Sequence, residues 1–448
     1  MTLEPINESM DEAELALFYD APVFPPTSME EELKQHWAYL DVRDALKSFR
    51  ELFHFPESKN GAEPIYFTGN SLGLMPKKAR EYVDQELEDW SRLAVEAHVN
   101  ARHPWLPYHE FLTESIARVV GAQPIETVVM NSLTVNLHLL MVSFYKPEGE
   151  RRCVVIERGA FPSDQYAVES QMRCHGLDPR ECLIELAPRD GESTLRTSDI
   201  VEMIESRGDE IALVLLGGVN YYTGQAFEMK EITAAGHKAG AIVGFDLAHA
   251  AGNLKLEMHD WGVDFAVWCG YKYVNGGPGA VGGAFVHERH ARSFDLCRLA
   301  GWWGHDKETR FLMGPEFKPL AGAEGWQISN PPILQMAALR ASLEIFDEVG
   351  MDALRQKSLR LTGYLESLIR DIGDARISII TPSDPEQRGC QLSIRVSEGG
   401  KALHQKLVDH GAYCDWREPS VIRVAPAPLY NSFKDVERFS EILKQCLA

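Results

Sequence analysis

The sequence predicts an α/β protein with a large, mainly parallel-sheet domain and a smaller α+β domain at its carboxyl end. Three observations carry this. Short β-branched runs alternate with helical patterns from about residue 65 to 320. One helical pattern, 228–239, joins two of those runs through short connections, and strand, helix and strand in that order imply a crossover and a parallel sheet. A long helical pattern after Pro331-Pro332 then leads into a second set of strand candidates.

Along the chain, residues 1–40 are acidic and proline-bearing (Phe24-Pro25-Pro26-Thr27) and read as an arm that wraps something. Residues 41–330 hold the strand candidates 153–156, 211–216, 241–245, 265–268 and 283–286. Helix 228–239 places Ile232, Ala235 and Ala239 on one face, and Gly240 closes it. Residues 331–448 open with helix 333–349, marked by Met336, Leu339, Leu343 and Phe346, and continue with strand candidates 377–380, 390–396 and 421–424. No internal repeat or low-complexity segment interrupts this order.

Composition excludes several function classes. With 448 residues and 45% hydrophobic side chains the chain can bury a large core. The longest aliphatic run, 211–216, is too short to cross a bilayer, and the amino terminus carries no basic segment followed by an apolar one. The expected compartment is the cytoplasm. A net charge of -21 disfavours nucleic acid and anionic membrane as partners, so an acidic ligand must be met by local arginines. Eight cysteines without a C-x-x-C pair suggest reduced thiols, with neither a zinc site nor a disulfide framework.

The chemistry concentrates at two strand ends. Asp246 closes the apolar run 241–245, and Lys272, 26 positions later, follows the run 265–268. Such a pair is what pyridoxal phosphate requires: a lysine amine for the Schiff base and a carboxylate to keep the pyridine nitrogen protonated. Both could equally be ordinary strand-end residues. Cofactors on parallel sheets sit outside the carboxyl ends of the strands, where both residues fall.

Three further stretches suit an anionic, planar ligand. Asn131-Ser132-Leu133-Thr134 opens a helix with an expected buried face of Val135, Leu139 and Val142, and free amides at a helix start bind phosphate. Phe161-Pro162-Ser163-Asp164 supplies an aromatic face, a hydroxyl and a second carboxylate, or else a plain turn. The glycines of 276–283 let a turn approach a ligand or a second subunit closely, and they do not form a dinucleotide fingerprint.

Taken together these words resemble the kynureninases, enzymes of the type I PLP-dependent transferase fold. The resemblance runs through Phe245-Asp246-Leu247-Ala248-His249, Trp268-Cys269-Gly270-Tyr271-Lys272, Tyr66-Phe67-Thr68-Gly69-Asn70-Ser71, Gly301-Trp302-Trp303-Gly304-His305, Ile328-Ser329-Asn330-Pro331-Pro332 and Ile422-Arg423-Val424-Ala425-Pro426. It covers nearly all of the chain beyond the arm.

The resemblance implies hydrolytic Cβ–Cγ cleavage of L-kynurenine or 3-hydroxy-L-kynurenine to anthranilate or 3-hydroxyanthranilate and L-alanine. This reaction belongs to tryptophan catabolism and NAD biosynthesis. Lys272 would hold pyridoxal phosphate and shuttle protons, and Asp246 would pair with the ring nitrogen. Asp164 and Phe161 would lie against the ring, while Leu133, Thr134, Ser163 and Tyr271 would hold the phosphate. Tyr271 is also a candidate proton donor at the ketone and at Cβ. His249 would join the cofactor shell. Trp302 and Asn330 would reach cofactor or substrate from the neighbouring subunit of a homodimer. Arg423 would clamp the α-carboxylate as a bidentate fork, or pair with Asp415 or Glu418, with Arg417 the next candidate. Ser71 and His98 would line the pocket for the substrate ring. Gly217 is a departure, since some members carry a hydroxyl residue there. The competing expectations are a cysteine desulfurase using Cys297 or Cys390, an aminotransferase, and a non-catalytic protein on a degenerate version of the fold.

Overall fold

The structure, a computed structural model, describes residues 33, 36–57, 61 and 63–448, so most of the expected arm lies outside the described residues. Seven strands form the sheet of the larger body: β1 (Thr127–Val129), β2 (Cys153–Glu157), β3 (Leu183–Leu186), β4 (Ile211–Gly217), β5 (Ile242–Asp246), β6 (Phe265–Trp268) and β7 (Gly283–Val286). Their spatial order is β1-β7-β6-β5-β4-β2-β3. Strands β2 to β6 pair in parallel, and β7 runs antiparallel to both β6 and β1. Residues 211–216 are all buried, so neither face of β4 meets water; this is why the run is apolar at every position.

Helices α1 (Trp37–Val42), α2 (Lys78–Leu93), α3 (Glu110–Val120), α4 (Leu133–Phe144), α5 (Pro162–Cys174), α6 (Met229–Lys238), α7 (Ile333–Val349), α8 (Met351–Ile372) and α9 (Phe433–Leu447) position the rest. In α4 the buried face is not the expected one. Leu137, Leu140, Met141 and Phe144 are buried with Leu139, whereas Val135 is exposed. The cause is Asn136, whose amide donates to the carbonyls of Met130 (2.9 Å) and Gly283 (3.3 Å) and fixes the rotation of the helix. Its first turn therefore opens onto the ends of the sheet.

Helix α7 packs on α2 and α3, and its Met336, Leu339, Leu343 and Phe346 belong to the core of the larger body. Gly350, at φ 77°, breaks the helical path between α7 and α8. Helix α8 then turns Leu361, Leu365 and Ile369 into a second core. That core covers a four-stranded antiparallel sheet, β8 (Ile377–Ile379), β9 (Leu392–Val396), β10 (Asp415–Arg417) and β11 (Val421–Val424), in the order β8-β9-β11-β10. Strand β9 starts two residues later than expected because the backbone N–H of Cys390 is taken by Asn253 (2.9 Å).

The second core also recruits residues from early in the chain. Tyr39 and Leu40 of α1 lie in it, and the Asp41 carboxylate accepts from the N–H groups of Phe433 (2.8 Å) and Lys434 (3.1 Å) at the start of α9. Ile65 and Tyr66 pair in parallel with Ala412 and Tyr413, and this carries the chain to Ser71, between the two bodies. Among the described residues no helix is long and apolar enough to cross a membrane.

Candidate active site

Three neighbouring strands, β2, β4 and β5, end in Glu157, Gly217 and Asp246, with Gly217 and Asp246 directly paired. Asp246 is buried and accepts from the N–H of Ala248 at 2.6 Å. From the end of β6 the chain makes a tight loop that presents Lys272. Gly73 packs against this loop and donates its N–H to the Tyr271 carbonyl at 2.8 Å. A Cβ on Gly73 would lie 2.3 Å from the Lys272 carbonyl oxygen, so only glycine permits the approach. Lys272 Nζ lies 3.2 Å from His249 Nε2 and 5.7 Å from the centre of the Phe161 ring.

The starts of α4 and α5 converge on the same space. Thr134 Oγ1 and Ser163 Oγ are 2.8 Å apart, one from each helix. Phe161-Pro162-Ser163-Asp164 is therefore a helix start with proline at the first position, not a free turn. Phe161 stands edge-on to Tyr221, with ring centres 5.3 Å apart. One cavity is lined by Leu133, Thr134, Phe161, Ser163, Asp164, Asp246, His249, Tyr271 and Lys272, nine residues expected from the sequence.

The electrostatics of this cavity call for a cation. Burial raises the Asp164 carboxyl well above its usual range, and the neighbouring Asp246 carboxylate adds to the rise. Burial also raises Asp246, against the opposing pull of the Ala248 N–H and Lys272. Glu157, fully buried beside them, is pushed up to about 7 by burial, with Asp246 adding to the effect. His249 is held well below its usual value by burial and then by Lys272, so it stays neutral. Burial likewise raises the Tyr271 phenol and keeps it protonated.

Pyridoxal phosphate fits these residues. Asp164 Oδ1 and His249 Nδ1 are buried without partners, as groups awaiting a ligand are. A protonated ring nitrogen would supply the missing positive charge beside Asp246. Two helix starts with Thr134 and Ser163 would hold the phosphate.

The remaining expected residues fall in two places. Ser71 and Arg423 meet at one edge of the site, where Ser71 Oγ donates to Asp415 Oδ2 at 2.6 Å. The Arg423 fork is not free: Nε donates to Asp415 Oδ1 at 2.7 Å and Nη2 to Asp415 Oδ2. The ion pair with Asp415 is thus what the structure holds. Burial would raise Asp415, but the hydrogen bonds and charge of Arg423, with Ser71 and Arg417, together lower it. Trp302, Asn330 and His98 do not line the cavity of their own chain. Trp302 is 42% exposed, Asn330 is exposed, and His98 Nδ1 lies 3.0 Å from the Val95 carbonyl.

Sequence reasoning missed Glu157, Val219, Tyr221 and Ala248 in the cavity wall. An acid closing the wholly apolar run 153–156 was the available signal for Glu157. Elsewhere, Glu126 lies with His259 and His287, and His109 with Glu110 and Glu324, each group close enough to share an ion. Glu126 is already engaged by the N–H groups of Gln123 and Glu288, both at 2.8 Å. All eight cysteines are free, and Cys390 is buried, with its thiol pushed up to about 12 by burial.

Comparison with known proteins agrees with this geometry. The family model for the kynureninase C-terminal domain matches residues 354–443. A kynureninase of Koribacter versatilis is 62% identical over 400 residues, spanning 89% of this chain and 94% of the relative. One of Myxococcus xanthus is 61% identical over 405 residues, spanning 90% and 95%. Among solved structures, the cystine C–S lyase C-DES aligns at TM-score 0.72 with 18% identity, covering 86% of this chain and 98% of that one. The cysteine desulfurase CsdA from Escherichia coli aligns at TM-score 0.71 with 15% identity, covering 90% and 98%. These structural neighbours share the fold, and the identity to the two bacterial relatives, over about nine-tenths of both chains, shows that this chain belongs to the kynureninase family.

Proposed function

We propose that the cavity at the ends of β2, β4, β5 and β6 is where this protein cleaves the Cβ–Cγ bond of L-kynurenine or its 3-hydroxy derivative, releasing L-alanine and the aromatic acid. Members of the kynureninase family are hydrolases of carbon–carbon bonds in ketonic substances, and pyridoxal phosphate is the cofactor. The observation that carries the placement is the convergence of Lys272, Asp246 and two helix starts on one buried space.

When bound, the cofactor supplies an electron sink for the charge that develops at the substrate Cα. Lys272 Nζ would hold the cofactor and is placed to take the substrate's Cα proton. Neutral His249, 3.2 Å away, adds no positive charge against that lysine. Asp246, with Asp164 beside it, would keep the ring nitrogen protonated. Phe161 would hold the ring. Leu133, Thr134, Ser163 and Tyr271 would hold the phosphate. The Tyr271 phenol, kept protonated by burial, is placed to donate to the ketone oxygen and to Cβ. Ser71, His98 and Arg423 serve the substrate.

A homodimer completes the reading. Trp302 and Asn330, turned away from their own cavity, would reach the site of a second copy. Phe311, Leu312 and Met313 stand exposed near Trp302 in the chain, and a groove of about 760 Å³ lined by Tyr66, Leu72, Met75, Pro278 and Leu334 offers an apolar seat. Free cysteines favour the cytoplasm. The pathway is tryptophan catabolism, leading toward NAD.

A desulfurase would need a reactive thiol at the site, and neither Cys297 nor Cys390 lines the cavity. The test is to supply the purified holoenzyme with L-kynurenine and follow anthranilate fluorescence and alanine together. Equal amounts of both are expected. Sulfide released from L-cysteine with kynurenine left intact would overturn the reading.

A further inference from the structure

Three stretches far apart in the chain meet at the edge of the large sheet that lies away from Lys272. Glu126 ends the 3-10 turn Pro124–Glu126 just before the edge strand β1, and His287 directly follows β7. Thr127 pairs with Phe285, and Val286 pairs with Phe265 at the start of β6, whereas Lys272 follows the other end of that strand. The third residue, His259, comes from the loop between β5 and β6. Its N–H donates to the Gly121 carbonyl at 3.0 Å. A Cβ on Gly121 would collide with the Leu256 carbonyl, so the loop closes on the end of α3 only over glycine.

The side chains converge on one carboxylate oxygen. Glu126 is buried, and its Oε1 lies 2.9 Å from His259 Nδ1 and 3.6 Å from His287 Nδ1. The two imidazoles stack with ring centres 5.1 Å apart and planes 21° apart. One ligand atom from each residue lies within 4.8 Å of the other two. Ligands on a tetrahedral zinc ion stand about 3.3 Å apart, given bonds of about 2.0–2.1 Å, so small side-chain shifts close this triangle around an ion.

The outer partners are those that metal-bound histidines require. The Arg289 N–H donates to His287 Nδ1 at 3.2 Å, so this nitrogen carries a lone pair, and Nε2 faces the His259 carbonyl at 3.3 Å. The Gln123 side-chain amide lies 3.1 Å from His259 Nε2. Turned over, that amide would accept the Nε2 proton and leave Nδ1 its lone pair. Glu126 is oriented by the N–H groups of Gln123 and Glu288, both at 2.8 Å. Exposed carboxylates of Glu288 and Asp260 add negative charge around His259, while the Arg289 guanidinium is turned to Asp264 at 2.7 Å. The His259 side chain is 27% exposed, so water can reach a fourth position. The other group of histidine and acids differs. Lys307 Nζ lies 3.0 Å from Glu110 and 2.8 Å from Glu324, so an ammonium already fills its centre.

We propose that Glu126, His259 and His287 form a site for a divalent ion of zinc's class, which fastens the edge strand β1 to β7 and to the loop before β6. Two imidazoles with one carboxylate suit zinc, whereas magnesium and calcium take oxygen ligands. On binding, two Zn–N bonds and one Zn–O bond form. The hydrogen bond from the Arg289 N–H is lost, and the proton that His259 Nδ1 shares with Glu126 leaves to solvent. The site is separate from the cofactor cavity and does not depend on its chemistry.

The experiment strips the holoenzyme with a chelator, removes the chelator and titrates with zinc chloride in a calorimeter. A single ion per chain is expected. Zinc at about 100 times its Kd should raise Tm by roughly 3 °C. His259→Gln and His287→Gln should each weaken zinc binding by at least about 100-fold, since even an outer partner is worth about 10- to 100-fold. Both variants should keep the wild-type cofactor spectrum and turnover, because Lys272 lies at the opposite edge of the sheet. Zinc bound as tightly by both variants as by wild type would overturn the proposal. So would a wild type that takes up no zinc, or zinc displaced by an equal concentration of magnesium.

Discussion

Glu157 occupies the space that a side chain on Gly217 would need. A Cβ at position 217 would lie 3.1 Å from Glu157 Oε1, and the Gly217 N–H donates to Glu157 Oε2 at 3.3 Å. The two positions are one packing unit across the ends of β2 and β4. A hydroxyl residue at 217, as the family resemblance suggests for other members, would compete with this carboxyl for the same volume. The glycine thus explains how a fully buried acid sits so close to Asp246.

Glu157 makes stability depend on pH. Its folded value, about 7, lies above the usual value of 4.5, so the native state keeps a proton that the unfolded chain releases. The stabilisation is fully present below the unfolded value and is lost as pH rises through the folded one. The groups facing it are the Gly217 N–H, Asn220, Asp246 and Asp164. Glu157→Gln should flatten this slope, so that wild type loses up to roughly 3 kcal/mol relative to the variant between pH 4.5 and pH 7. Urea unfolding of the cofactor-free protein at several pH values checks it, and parallel curves would refute it.

Lys272→Ala should abolish turnover and the absorption of lysine-linked cofactor while leaving the fold intact. Its amine has no substitute, since the groups around it are His249, Tyr271 and Phe161. Spectra and assays of the purified variant decide the matter, and normal turnover would rule the assignment out.

Asp246→Asn keeps the shape and the hydrogen bond from Ala248 but removes the charge facing the ring nitrogen. Turnover should fall by at least about 100- to 1,000-fold, as when a preorganised charge is lost from an active site. Cofactor binding should persist. A variant within about tenfold of wild type would reduce Asp246 to a packing role.

The exposed positions of Trp302 and Asn330 predict that sites are shared between subunits. Lys272→Ala and Asn330→Ala protomers should each be inactive alone. Mixed after mild dissociation, they should regain about a quarter of wild-type activity, because half of the dimers carry one intact site. No recovery, with hybrid dimers verified by mass, would show that each site is built from one chain.

Much of this architecture was legible in the residues. Strands 265–268, 283–286 and 421–424 and helix 333–349 have the expected limits, because continuous apolar runs and a helical repeat leave little choice. The reversal of β7 was not legible, since a buried strand reads the same in either direction. The rotation of α4 depended on Asn136 reaching Met130 and Gly283, contacts made only after folding. Nine of the expected residues line one cavity because they lie at strand and helix ends, which topology places together, whereas Trp302 and Asn330 lie outside it. The Arg423–Asp415 pair was an open alternative in the sequence, where both a ligand and a neighbour could satisfy the arginine.

The cavity wall belongs to the larger body, and the smaller sheet meets it through Arg423, which donates to the carbonyl of the wall residue Tyr221 at 2.8 Å. Lys272, Asp246, Thr134 and Ser163 all belong to the larger body. Asp415, Arg417 and Arg423 belong to the smaller sheet, and Ser71 follows a segment stitched to it through Phe67, Tyr413 and Ala425. On the proposed site, affinity for the prosthetic group and choice of amino acid would therefore be written in different stretches of chain. Laboratory evolution confined to residues 412–425 can redirect what the enzyme accepts without revisiting how it is charged with its cofactor.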